Sequence, residues 1–235
     1  MFGRYERDFT YSDDTISIVV NRTDTIPRYV RTIGDERLEK ILPEGEGRVI
    51  INPVEPVNLP VPISRHLEIS FPAVVLNPKG NRSFYLTFPI EIGVFLESGG
   101  SIHVLDLFSR VRAKYSLYGL PGAGLITRWH RSGIHNTPPS IEKYSSGILE
   151  LSIKNTTPDS IEVSRTVIDS GNMHLFYGDY VAMAADMEVF SPVIARTFVR
   201  DKAPVSGMQQ SIELYMARKI PAVHGRGFLM EFGVA

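Results

Sequence analysis

Apolar and polar residues alternate with a period of two along most of this chain. TISIVV (15–20), RHLEIS (65–70), SFYLTF (83–88), GILELSIKN (147–155), SIEVSRTVI (160–168) and QSIELYMAR (210–218) all show it. Successive strand residues point to opposite faces, so the pattern predicts strands with one side on a core and one in water. Proline and glycine interrupt the runs at short intervals, as in a sandwich or barrel. Two stretches predict hairpins. One is IGVFLESGGSIHVLDLF, turning around Ser98-Gly99-Gly100. The other is ILELSIKNTTPDSIEVSRTVI, turning around Asn155–Asp159. Glycine supplies positive φ there, and Asn, Asp and Pro supply turn geometry.

Helical pattern is scarce. GDERLEKIL (34–42) fits two helical turns capped by Asp35, with Leu38, Ile41 and Leu42 on one face; it also fits a strand edge, less well. In GDYVAMAADMEVF (178–190), Val181, Met183, Ala185, Met187 and Val189 alternate, which favours a strand. INPVEPVNLPVPI (51–63) holds four prolines and reads as a rigid extended crossing or edge segment. No internal repeat is visible. A boundary near residue 110 gives halves 1–110 and 111–235, with one continuous β structure as the alternative. The expected fold is all-β: an antiparallel β-sandwich, or two packed sandwich domains, with at most one or two short helices.

Composition narrows the chemistry. The chain has 235 residues, 43% hydrophobic and 22% charged, with a net charge of −1. Such a balance gives no global field toward nucleic acid or an anionic membrane. With no cysteine, disulfides, thiolate nucleophiles and cysteine-held metals are excluded. The N-terminal MFGRYERDFTYSDD lacks a signal-peptide core, and no run approaches the roughly 18 apolar residues of a membrane helix. A cytoplasmic location is expected, and the sequons at Asn21, Asn81 and Asn155 are then accidental.

The stretch GLPGAGLITRWHRSGIHN (119–136) gathers glycines, basic residues and the one tryptophan. It lacks the Gly-Lys-Ser/Thr of a phosphate loop, and Leu125, Ile126 and Trp129 are strand-like where a dinucleotide fingerprint needs a helix. A tight turn at Pro121-Gly122 is what remains. His130 and His135 are five apart, off the i, i+4 spacing of a helical metal pair; Glu91, His103 or Asp106 would have to complete a site. Ser132 is not in a nucleophile elbow. No metal, cofactor or catalytic residue is expected.

Charge placement is more informative. Between Asp106 and Glu142 there is no acidic residue, while Arg110, Arg112, Lys114, Arg128 and Arg131 fall in that window with His130 and His135. If SRVRAKYSLYG is one strand, Arg110, Arg112 and Lys114 share a face. Folded about Pro121-Gly122, Lys114 meets Trp129 and Arg112 meets Arg131, or in a shifted register Lys114 meets His130. Opposed like charges destabilise a sheet. Carboxylates from another strand, an acidic partner or subunit, or a small anion would offset them. Tyr115, Tyr118 and Trp129 could stack on a ring, but as core or rim aromatics they need no ligand. Glu91, set among apolar residues in FPIEIGVF, reads as a buried carboxyl paired with a nearby arginine before it reads as a catalytic acid. Asp106 lies on the neighbouring strand of the expected hairpin.

FGRYE (2–6), NPVEPVNLP (52–60), LTFPIEIGVF (86–95), KYSLYGLPGAGLITR (114–128) and LSIKNTT (151–157) together resemble a conserved archaeal family, domain of unknown function 432. The resemblance implies an archaeal cytoplasmic protein and brings no activity, cofactor or catalytic residue. From the residues, the expected function is a non-enzymatic binding or assembly module acting through sheet faces and edges, with self-association as a dimer. The alternative is a small-anion or nucleotide-binding protein, enzymatic or not, using Arg110, Arg112, Lys114, Arg128, Trp129, His130, Arg131 and His135. A nucleic-acid partner is not expected.

Overall fold

The computed structural model describes residues 1–21, 26–59, 63–214 and 227–235, which form nineteen strands. In chain order they are β1 (Gly3–Tyr5), β2 (Phe9–Ser12), β3 (Ile16–Asn21), β4 (Arg28–Ile33), β5 (Glu36–Ile41), β6 (Arg48–Val54), β7 (His66–Leu76), β8 (Asn81–Pro89), β9 (Glu91–Ser98) and β10 (Ser101–Phe108). Then follow β11 (Tyr115–Tyr118), β12 (Leu125–Arg131), β13 (Ser146–Asn155), β14 (Ile161–Asp169), β15 (Phe176–Tyr177), β16 (Val181–Val189), β17 (Ala195–Val199), β18 (Gln209–Gln210) and β19 (Phe228–Met230). The fold is all-β. Between β14 and β15 lies one short 3₁₀ turn, Ser170–Asn172. The strand expected in QSIELYMAR does not form over its described part: only Gln210 is in a strand, Ser211–Glu213 are irregular and Leu214 is helical, while positions from 215 onward lie outside the described residues.

Two compact units divide the chain. The first is Met1–Asn52 with Gly93–Leu107, and the second is Pro53–Ile92 with Phe108–Ala235. Both are discontinuous in sequence. The proline-rich crossing passes from the first unit to the second at Asn52–Pro53; of its residues, 60–62 lie outside the described ones.

In the first unit, β2, β3, β4 and β5 form an antiparallel meander. Ile16, Ile18 and Val20 are buried at every second position of β3, as the alternation predicts. GDERLEKIL is a strand, not a helix: Gly34-Asp35 is a two-residue turn that sets Ile33 opposite Glu36, and Gly34 has φ +52°. Positive φ suits the tight hairpin turn, which stops helix nucleation where Asp35 would cap. Strand β5 is an edge whose charges face water and pair across to β4, Arg28 Nη1 to Glu39 Oε1 at 2.6 Å and Arg31 Nη2 to Glu36 Oε1 at 2.8 Å. Charged edges of this kind discourage further pairing. The sheet order β1-β6-β9-β10 contains the hairpin expected at Ser98–Gly100, with Gly99 and Gly100 at φ +57° and +74°. A buried polar cluster sits in this unit: the Tyr29 hydroxyl (2.8 Å) and Arg31 Nε (2.6 Å) both donate to Asp106 Oδ2.

The second unit holds a sheet in the order β11-β12-β7-β14 and a larger one in which β18, β15, β16, β13 and β8 follow one another, with β17 and β19 beyond β16. β12 runs parallel to β7, and β13 runs parallel to β16. The hairpin expected around Asn155–Asp159 does not form. β13 pairs with β8 and β16, while β14 pairs with β7 in the other sheet. The reason is local: the Asn155 amide donates to Asn77 O (3.0 Å) and Asp159 O (2.7 Å), and its Oδ1 accepts from Thr157 N (2.9 Å), so the connection is stapled as an arch. Short-range alternation specifies two strands but not whether they share a sheet. GDYVAMAADMEVF contains β16, as expected.

Gly147 of β13 lies opposite Phe88 of β8, and a Cβ built there would meet Phe88 Cζ at 2.5 Å. The ring fills the glycine's missing side chain. Gly147→Ala is expected to cost about 1–3 kcal/mol by overpacking, read as a lower urea midpoint with unchanged slope. An unchanged midpoint would show that Phe88 repacks freely.

Candidate functional site: a buried arginine among titratable groups

The basic window is split by the backbone. β11 and β12 pair antiparallel with Tyr115 opposite Arg128 and Leu117 opposite Ile126, and Trp129 N donates to Lys114 O at 2.8 Å. This is the register in which Lys114 meets Trp129. Residues 109–114 are outside any strand, with Ser109 Oγ closing a turn onto Val111 O at 2.9 Å. Arg110 and Arg112 therefore do not share a strand face with Lys114, contrary to the alternation reading, and Arg112 is exposed. Within β12, Arg128 and His130 lie on one face; Trp129 and Arg131 lie on the other. Trp129 Nε1 donates to Ser70 Oγ at 3.0 Å, and Arg131 is exposed. The expected repulsion is relieved mainly by this division, since the charges alternate between faces and the outer ones stay in water.

Histidine placement follows the same logic. His130 Nε2 is 3.0 Å from Thr87 Oγ1. Burial first, then the charges of Arg128 and Lys114, pull its pKa down to about 4, so the ring is neutral at pH 7. His135 sits in a backbone bridge, exchanging hydrogen bonds with Tyr85 at 2.8 and 3.0 Å. Ser132 is structural: its Oγ donates to Gly133 O at 2.7 Å and accepts from Thr87 N at 2.8 Å. Among the described residues no group of three His, Asp or Glu is placed to hold a metal ion. Tyr118 is fully buried, and its hydroxyl donates to Gly233 O at 3.0 Å and accepts from Phe232 N at 3.1 Å.

Arg128 stands apart from the other basic residues. It is 1% exposed, and among the described residues its Nε and Nη1 have no hydrogen-bond partner. Its register neighbours on β7 and β11 are Leu67 and Tyr115. The guanidinium carbon lies 6.0 Å from the Tyr115 ring centre, and the Tyr115 hydroxyl donates to Leu59 O at 2.7 Å. Burial lowers the guanidinium's pKa, and Glu91 and Tyr115 partly offset that.

Glu91, whose field reaches Arg128, is 1% exposed and accepts from Asn58 N (3.1 Å) and Leu59 N (3.3 Å). Desolvation outweighs those donors and raises its pKa to about 7. Glu91 and Asp106 do not form a facing carboxylate pair: Glu91 is held by Asn58 and Leu59, Asp106 by Tyr29 and Arg31. Glu55 is likewise raised to about 7, by burial first, although the Leu214 backbone N–H donates to it; Glu213 and Glu91 raise it further, and its Oε2 has no partner among the described residues. His174 Nδ1 is 2.6 Å from Glu213 Oε1, and that bond lifts the imidazole's pKa. Sequence reasoning singled out Arg128 and Glu91 but passed over Glu55, Glu213 and His174. The signal that picked Glu91, a lone carboxylate among apolar residues, is also present at Glu55 in NPVEPVNLP.

The geometry defines an all-β protein whose second unit buries Glu55, Glu91 and a partly compensated Arg128, with the half-buried His174–Glu213 pair in the same electrostatic group. The chain belongs to the family described as protein of unknown function (DUF432), whose model matches residues 1–232. No curated protein and no solved structure matches it. Among the described residues, no helix is long and apolar enough to cross a membrane.

Proposed function

We propose that this chain is a non-enzymatic binding and assembly module of an archaeal cytoplasm, and that it associates with a second copy through the β11–β12 hairpin. One observation carries the reading: an apolar pair beside an open strand edge. Leu117 and Ile126 are direct register partners, 43% and 51% exposed, and Leu120 in the turn is 66% exposed. β11 stands at the end of its sheet order, so its outer side has no strand partner among the described residues. An unprotected edge with apolar side chains is a template for another strand. A second copy offers the same surface about a two-fold axis, the commonest closed symmetry.

The test is sedimentation velocity across a concentration series for the native chain and for the double variant Leu117→Lys/Ile126→Lys. Both substitutions are at exposed positions, so each changes stability by about 0.5 kcal/mol or less. The expected result is a reversible dimer for the native chain and a monomer for the variant. A native chain that stays monomeric at high micromolar concentration, or a variant that dimerises equally well, refutes this surface.

A further inference from the structure

We propose that Arg128 anchors a buried oxyanion site, closed in this structure by the ring of Tyr115, that accepts a small carboxylate or phosphate. The proposal stands independently of the assembly reading.

The first support is a guanidinium with unmet donors. Arg128 is 1% exposed, and among the described residues its Nε and Nη1 lack partners, while its contact with Tyr115 and the field of Glu91 offset only part of the burial cost. Native proteins retain few buried donors without an acceptor, and an arginine cannot shed its charge to escape the cost. A missing acceptor is the simplest resolution. The second support is the surrounding chemistry. Leu67 and Ile69 flank Arg128 and His130 on the same face of the sheet, both fully buried, giving an apolar floor where charge-assisted hydrogen bonds are strong. Lys114 adds positive field at His130. The third support is a route. Tyr115 is 36% exposed, lies over the guanidinium, and is tethered by the hydrogen bond its hydroxyl donates to Leu59 O and by its contact with the guanidinium itself. Release of these tethers frees the ring to swing toward water. An oxyanion fits better than a halide, because planar guanidinium donors match carboxylate and phosphate oxygens.

Glu91 sets the pH dependence. It is the carboxylate whose field reaches Arg128, and its amide donors hold it in place. Protonating it removes a competing negative charge, so anion binding tightens as pH falls through about 7. Glu55, which feels the charges of Glu213 and Glu91, titrates in the same range but is not among the groups whose field reaches Arg128. His130 adds positive charge only near pH 4.

The experiment is a thermal-shift and calorimetric titration with sodium phosphate and with sodium acetate, against sodium chloride at equal ionic strength, at pH 6 and pH 8. A ligand bound only to the folded state raises the melting temperature by mass action. Phosphate or acetate, but not chloride, is expected to raise it, more at pH 6 than at pH 8. Arg128→Met should bind at least about tenfold more weakly while melting no lower than the native chain in chloride at pH 6, where Glu91 is mostly protonated and loses no counter-charge. Arg128→Lys, which keeps the charge and loses the planar donors, serves the same comparison if the methionine variant does not fold. Tyr115→Phe should bind more tightly, and Glu91→Gln should bind with little pH dependence. Identical melting of the native chain and of Tyr115→Phe in phosphate, acetate and chloride overturns the site. So does an anion response that survives in both Arg128 variants. The phosphate and acetate arms distinguish the two oxyanion classes.

Discussion

Arg31→Met is expected to destabilise the first unit by about 3–5 kcal/mol, a larger loss than Gly147→Ala brings. Arg31 Nε donates to Asp106 Oδ2 at 2.6 Å, and the side chains are 4% and 6% exposed. Without the arginine, Asp106 keeps the Tyr29 hydroxyl at 2.8 Å and the Leu107 N–H at 2.8 Å, but its charge stays buried with no other cation paired to it among the described residues. The cost is that of an uncompensated charge and not the net worth of the pair. The companion variant Arg31→Met/Asp106→Leu should therefore recover much of the lost stability, because burying no charge is often as favourable as burying a well-matched pair. Urea unfolding of the two single variants and the double gives the coupling. Additive losses would mean that the two residues do not act as a pair.

Glu55→Gln should make the protein more stable at pH 8 than the native chain, and so should Glu91→Gln. Both carboxyls have folded pKa values of about 7, above the ordinary glutamate value of 4.5. Between those pH values the folded state holds protons that the unfolded state has released, so stability falls as pH rises and the penalty is complete above pH 7. A shift of that size corresponds to about 3 kcal/mol per carboxyl. The amide carries no charge and escapes the penalty. His130 works in the opposite sense: its pKa is lowered to about 4, so the unfolded state binds its proton first and stability rises from there to about 6.5. The native curve alone therefore understates the carboxyl effect, and the difference between variant and native chain isolates it. That difference should be small at pH 5 and grow toward pH 8, measured by urea midpoints at each pH. A constant difference across the range would mean that the carboxyls ionise freely and are not desolvated.

The candidate site was only partly legible in the sequence. The absence of acidic residues between Asp106 and Glu142 pointed to the hairpin, and the apolar setting of Glu91 marked a buried carboxyl. Which arginine goes inside was not legible. Arg128 and Arg131 look alike in sequence, yet they fall on opposite faces of β12, and Arg128 is inside because its neighbours on that face are Leu67 and Ile69. That neighbourhood comes from a parallel pairing between strands more than fifty residues apart in the sequence. Glu55, Glu213 and His174 are brought into one electrostatic group by contacts of similar range.

The sequence by itself determined the class of the protein. Period-two alternation, punctuated by proline and glycine, committed β3, β7, β8, β13, β14 and β16 to strands, because each side chain's face follows from backbone geometry alone. Local turn chemistry also settled the Ser98–Gly100 hairpin, where glycines supply the positive φ. Tertiary structure decided everything that depends on which strand lies beside which. It turned GDERLEKIL into a charged edge strand, because pairing with β4 supplied cross-strand partners that a short helix would lack. It sent β13 and β14 into different sheets, and it composed each unit from two separate stretches of chain. Alternation records only that a residue faces a core. Partner, register and charge environment are set by long-range burial, which no window along the chain contains.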